Sequence, residues 1–179
     1  MTDKNQSIRI VLLTGDGKGK TSSALGMVLR AAGHGLRVCV VQFIKPPGDT
    51  AEARALRLLP GVEHHACGNG FVLPSDTDDA HGKHRAAAAA GLALAQAALA
   101  DPKIAMVLLD EICGAIALGL LPLQDVLDTL HTAVAGKIII LTGRAAPQAL
   151  VDLADTASHV HALKHAFDAH RPAQPGVEF

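Results

Sequence analysis

Gly15-Asp16-Gly17-Lys18-Gly19-Lys20-Thr21 decides how this chain is read. An unbroken apolar run, Ile8 to Leu13, leads into it, and a helix-compatible stretch, Thr21 to Ala32, leads out. Strand, glycine loop, Gly-Lys-Thr and helix is the context that a phosphate-binding loop requires. The glycines let the backbone turn sharply and aim successive N–H groups inward, forming an anion nest. The helix begins at that nest, so its positive dipole end faces the same phosphates. Lys20 is placed to reach the β- and γ-phosphates of a nucleotide, and the Thr21 hydroxyl to ligate Mg²⁺. In the common pattern, G-x-x-x-x-G-K-[ST], counting back from Gly19 puts Thr14 where the first glycine belongs. The first glycine here is Gly15, so the loop is one residue short. The competing reading is a Gly/Lys-rich turn that binds nothing; the strand before it and the helix after it argue against that.

Outward from the loop, strands and helices alternate. Val38 to Phe43, Ile104 to Leu109 and Lys137 to Leu141 read like Ile8 to Leu13, as strands buried on both faces. Val62 to Ala66 is a weaker strand, and Ser158 to Leu163 is the last candidate. Helices are expected from a cap at Asp49 or Thr50 through Leu59, over Ala80 to Ala100, over Leu123 to Val134 behind Pro122, and from Pro147 to about Ala154. Ala24, Leu25, Val28 and Leu29 share one face of the first helix, which ends at Gly33 or Gly35. The stretch with Gly114 and Gly119 reads as poor in structure, Cys67 to Thr77 as a polar loop, and the tail from Lys164 as irregular. The alternation predicts an α/β sandwich with a mainly parallel sheet.

At 179 residues the chain is expected to form one domain, residues 1–179. Sixteen basic and seventeen acidic residues leave no basic footprint for nucleic acid or an anionic membrane. There is no Trp or Tyr and only four Phe, so base-stacking platforms are missing too. No apolar run reaches the length of a membrane span. Cys39, Cys67 and Cys113 are odd in number and scattered, which suits a reducing, cytoplasmic setting.

Asp110-Glu111, at the end of an apolar strand, reads as the acidic partner of the phosphate loop, able to hold Mg²⁺ directly or through water opposite Thr21. The sequence does not choose between the two carboxylates, and a helix cap with a first-turn Glu is the plainer alternative. Gln42, Lys45 and Arg144 also stand at or beyond strand ends, where open α/β sheets gather ligand contacts. Arg144 has the geometry for a phosphate or carboxylate, or it is simply a surface residue at a turn. His64-His65-Ala66-Cys67 and His81-Gly82-Lys83-His84 do not match zinc spacing, and adjacent His64 and His65 would face opposite sides of a strand.

Several segments together resemble the P-loop corrinoid adenosyltransferases, also called cob(I)yrinic acid a,c-diamide adenosyltransferases. They are Thr14 to Thr21, Val41-Gln42-Phe43-Ile44-Lys45, Gly68-Asn69-Gly70-Phe71, Leu109-Asp110-Glu111, Leu141 to Pro147, Ala154-Asp155, Lys164-His165-Ala166-Phe167 and Ala173 to Phe179. The resemblance implies a three-layer, recombinase-like P-loop fold and a homodimer. It implies transfer of the 5′-deoxyadenosyl group of ATP to the Co(I) of a reduced corrinoid, with triphosphate released and a donor such as reduced flavodoxin supplying Co(I). Gly15, Asp16, Gly17, Lys18, Gly19, Lys20, Thr21 and Ser22 would hold the phosphates, Lys20 and Glu111 would be catalytic, and Thr21 with Asp110 or Glu111 would hold Mg²⁺. Phe71 and Leu73 would face the corrinoid. Leu73 stands where the family usually has Trp and cannot stack, which leaves complete cobalamin and precursors without the lower base both open as substrates. Two other readings compete: a P-loop ATPase or kinase that has lost corrinoid chemistry, and a non-catalytic corrinoid or nucleotide carrier.

Overall fold

Along each central strand, alternate residues enter two different cores, which is why these strands are apolar throughout. The computed structural model describes residues 7–48, 50–70, 72, 77–166 and 168–177. The strands are β1 (Arg9–Thr14), β2 (Val38–Gln42), β3 (Val62–Ala66), β4 (Met106–Asp110), β5 (Ile138–Thr142) and β6 (Thr156–His159). They form one parallel sheet in the order β3-β2-β4-β5-β1-β6. The helices are α1 (Lys20–Gly33), α2 (Ala51–Arg57), α3 (Asp78–Ala100), α4 (Ile112–Ala117), α5 (Leu123–Leu130) and α6 (Gln148–Leu153).

Ile10, Leu12, Cys39, Val41, Val107, Leu109, Ile139 and Leu141 pack with buried residues of α3, α4, α5 and α6. Their neighbours of opposite parity, Leu13, Val38, Val40, Met106, Leu108 and Ile140, pack with Ala24, Val28 and Ala31 of α1 and Leu56 of α2. The result is the three-layer α/β arrangement of P-loop NTPase-like folds, with β5 set between the loop-bearing β1 and the acidic strand β4.

Threonine caps set the starts of two helices. The Thr50 hydroxyl accepts the Ala53 N–H at 3.2 Å, and Thr77 accepts that of Ala80 at 3.3 Å, so α3 starts before Ala80. Asp49, the other cap candidate, lies outside the described residues. Gly35, at φ 72°, turns the chain out of α1 while its N–H closes on Ala32. Helix α5 stops at Leu130, short of the expected Val134, because Thr132 turns back onto the Thr129 carbonyl and the Val134 N–H goes to Leu99 at the end of α3. Lys137, 2% exposed, donates to the carbonyls of Ala98, Asp101 and Ile104, tying the last turn of α3 to the loop before β4.

The last strand is β6 at Thr156–His159, not Ser158 to Leu163. All its residues are exposed, so no apolar pattern marked it. Its start is fixed by Asp155, whose N–H donates to Ile10 O at 2.9 Å and whose carboxylate accepts the Ile10 N–H at 2.7 Å. Asp155→Ala should therefore cost about 1–3 kcal/mol, the usual loss when a charged acceptor leaves a buried amide unpaired. A denaturant midpoint lowered at unchanged slope is the expected result.

Candidate functional site

The parity that builds the two cores also builds the site. Gln42, Asp110 and Thr142 are the last residues of β2, β4 and β5, with Gln42 opposite Asp110 in the ladder. Each is two residues beyond a side chain facing α1, so all three end apolar columns with polar groups on the side where α1 begins. They are 2%, 1% and 0% exposed.

Asp110 is the hub. Its Oδ1 accepts from the hydroxyls of Thr21 at 2.9 Å and Thr142 at 2.7 Å, and its Oδ2 accepts from Gln42 Nε2 at 2.9 Å. Thr142 Oγ1 in turn accepts the Glu111 N–H at 2.9 Å. Glu111 sits in the left-handed region, φ 61°, a strained setting for a non-glycine residue that turns the chain from β4 into α4. Helix α4 was not expected in this stretch; Gly114 lowers its propensity, and burial of Ile112, Cys113 and Ala115 holds it. Burial, then the Asp110 carboxylate, pushes the Glu111 carboxyl above the ordinary Glu range, against the pull of Lys20, Arg144 and Lys45.

The loop is braced from the far side by the chain after β6. Gly17 N–H donates to Val160 O at 2.8 Å. A Cβ on Gly15 would lie 2.5 Å from that oxygen, and one on Gly17 would lie 2.8 Å from it. Lys20, 6% exposed, folds back to donate to the Gly17 carbonyl at 2.8 Å. Burial lowers its pKa, with Glu111, Asp16 and Asp110 acting upward and Arg144 downward.

Two cavities open here. One, of about 390 Å³, is lined by the loop from Asp16 to Ser22 and by Lys45, Glu52, Glu111 and Arg144, with His165, Gly176 and Val177 from the tail. The other, about 550 Å³ and mostly apolar, is lined by Ile44, Pro46, Gly70, Ala117 and Leu118. Thr21, Lys45, Glu111 and Arg144 belong to both walls.

The structure thus gathers Asp16 to Ser22, Lys45, Glu111 and Arg144 around one opening, with Asp110 directly behind Thr21. Lys45 is held there by an ion pair with Glu52, and Arg144 Nε lies 4.0 Å from Asp16 Oδ1. Gly15 lies behind the loop, against Val160. Gln42, expected as a ligand contact, is instead buried, with Asp110 at one end of its amide and His64 at the other. Phe71 and Leu73 lie outside the described residues; Gly70, next to Phe71, lines the apolar cavity. Sequence reading missed the pairing of His64 with Gln42 and the tail wall, because both depend on which strands become neighbours.

A hydroxyl and two carboxylates are hard oxygen donors, the set that suits Mg²⁺. Among the described residues no group of three or more His, Cys, Asp or Glu could hold a metal by itself. A cation beside Thr21 and Asp110 would take phosphate oxygens and water for the rest of its shell, as Mg²⁺ does in nucleotide sites. Among the described residues no helix is long and apolar enough to cross a membrane.

Comparison with known proteins gives a consistent result. The sequence profile described as ATP:corrinoid adenosyltransferase BtuR/CobO/CobP matches residues 6–179. The chain is 42% identical over 171 residues to a corrinoid adenosyltransferase of Pseudomonas aeruginosa, covering 95% of this chain and 83% of that protein. It is 39% identical over 170 residues to corrinoid adenosyltransferase CobA of Salmonella typhimurium, covering 95% and 85%. Against a corrinoid adenosyltransferase of Escherichia coli the identity is 38%, with the same coverage.

Proposed function

The chain belongs to the ATP:corrinoid adenosyltransferases, and from that premise we propose how its residues divide the work. The reaction transfers the 5′-deoxyadenosyl group of ATP to a reduced corrinoid. The electron pair of Co(I) forms the bond to C5′, the C5′–O bond breaks, and triphosphate leaves with that bond's electrons. The substrate supplies the nucleophile, so the protein's task is orientation and stabilisation of the leaving group.

The observation that carries the residue assignment is the shared wall. ATP phosphates in the polar cleft and a corrinoid in the apolar one would meet at Thr21, Lys45, Glu111 and Arg144. In this reading Gly15 to Ser22 cradle the triphosphate and Lys20 neutralises the charge that develops on it. Thr21 and Asp110 hold Mg²⁺, which supplies further neutralisation at the phosphates. Glu111 stands at the junction where C5′ and the cobalt approach, with Lys45 and Arg144 flanking the phosphates. Phe71 and Leu73, carried over by the family resemblance, are assigned to the corrinoid. Residues 1–179 act as one P-loop domain, working in the cytoplasm as a homodimer, with reduced flavodoxin or another donor providing Co(I).

The test is anaerobic. Protein, Mg-ATP and chemically reduced corrinoid are mixed, Co(I) absorbance is followed and the products are identified. Adenosylcorrinoid and triphosphate in equal amounts, both abolished by EDTA, are expected. ADP and phosphate as the only nucleotide products would overturn the reading. Cobalamin run beside a precursor lacking the lower base reports what Leu73 permits.

A further inference from the structure

Strand β2 is apolar from Val38 to Val41 and then ends in a buried amide. A buried amide is stabilising only when both its ends are paired. Those of Gln42 are: Nε2 lies 2.9 Å from Asp110 Oδ2, and Oε1 lies 2.8 Å from His64 Nε2. Only one amide orientation satisfies both neighbours. A carboxylate oxygen can only accept, so Nε2 must face Asp110; Oε1 then faces His64, whose Nε2 must carry the proton. Burial, then the neighbouring His65, holds the His64 imidazole below the ordinary histidine range, which favours the neutral ring, and the Gln42 contact sets its tautomer. His64 stands on β3, one end of the sheet, so a chain of donors runs inward from the sheet edge: His64 to Gln42 to Asp110. With Gln42 at 2% and Asp110 at 1% exposure, bulk water is kept from the Gln42–Asp110 link, while the His64 end is half-buried.

We propose that Gln42, locked in one orientation by His64, is a positioning residue for Asp110. It occupies Oδ2 and so presents Oδ1 to Thr21 and to the metal-bound nucleotide. This rests on the reading of Asp110 as the carboxylate on the metal side. Fixing a ligating carboxylate from behind commonly changes metal affinity by about 10- to 100-fold.

The full-length chain can be tested without turnover, by nucleotide binding in the absence of corrinoid. Affinity for ATP is measured by calorimetry with saturating Mg²⁺ and again in excess EDTA, and bound Mn²⁺ is followed by electron paramagnetic resonance in the presence of ATP. Gln42→Met, which keeps the volume and removes the donor, should weaken metal-ATP binding about tenfold and change metal-free binding less than about twofold. His64→Leu should give a smaller loss of the same kind, and His64→Gln, which retains a donor, should restore it. If Gln42→Met does not fold, the His64 pair decides alone. Equal losses with and without metal, or no loss, would overturn the proposal. Asp110→Ala separates the two layers. A metal-selective loss there but not in Gln42→Met or His64→Leu defeats only the positioning role. No metal-selective loss in Asp110→Ala defeats the metal-side reading, and the proposal with it.

Discussion

Lys20→Ala is expected to lower kcat/KM for adenosyl transfer by about 10²- to 10³-fold, the usual scale for removing one preorganised electrostatic donor. The side chain is 6% exposed and already curled into its own loop, with Nζ 2.8 Å from Gly17 O. It lines the polar cleft proposed to take the phosphates. Alanine is the best helix former and keeps the first residue of α1 helical. Burial lowers the lysine pKa, against the upward pull of Glu111, Asp16 and Asp110. The unliganded variant loses the buried hydrogen bond to the Gly17 carbonyl and should melt somewhat below the parent, while the stabilisation given by Mg-ATP largely disappears. Lys20→Arg should not rescue activity, because a planar guanidinium does not fit the space that an ammonium occupies against the Gly17 carbonyl. Activity within about threefold of the parent in Lys20→Ala would remove the charge argument.

The loop and Asp110-Glu111 were legible in the sequence because each is a local pattern at the end of a doubly buried strand. The same holds for β1, β2, β4 and β5, whose two faces enter separate cores. Strand β6 was placed two residues late, because Thr156 to His159 are exposed and its start is marked by the two Asp155–Ile10 hydrogen bonds. The role of Gln42 was out of reach for a related reason. It depends on β2 lying beside β4 with Gln42 level with Asp110, a register that neither segment encodes alone. His64 reads as an ordinary strand histidine until β3 is known to flank β2. The tail residues His165, Gly176 and Val177 are far from the loop in sequence and meet its cleft only because β6 runs beside β1.

Gly68→Ala should damage the corrinoid side of the site more than the nucleotide side. A Cβ at Gly68 would lie 2.0 Å from the Ile44 carbonyl oxygen, 2.1 Å from its carbon and 2.7 Å from its Cα. All three are backbone atoms, so no rotamer change relieves the overlap and one chain must move. The segment is pinned against that movement: Cys67 N–H donates to Gln42 O at 2.8 Å, Gly68 N–H to Lys45 O at 2.9 Å and Gly70 N–H to Ile44 O at 3.1 Å. These bonds continue the β2–β3 pairing past the strand ends and carry Gly70 to the apolar cavity, beside Ile44 and Lys45. Forcing the two chains apart should cost about 1–3 kcal/mol, as overpacking does, and lower the melting temperature by roughly 3–10 °C. Because Ile44 and Gly70 line the apolar cavity and not the polar one, the corrinoid KM should rise about tenfold, about the cost of 1.4 kcal/mol of lost complementarity. Mg-ATP affinity should change much less, since the loop is braced by Val160, after β6, instead. Gly82→Ala is the control: a Cβ there meets nothing within 4 Å, and alanine in a helix is favoured by about 1 kcal/mol, so α3 should gain stability. Parental melting and a parental corrinoid KM in Gly68→Ala would mean that the 67–70 segment is free to shift and does not set the shape of the apolar cavity.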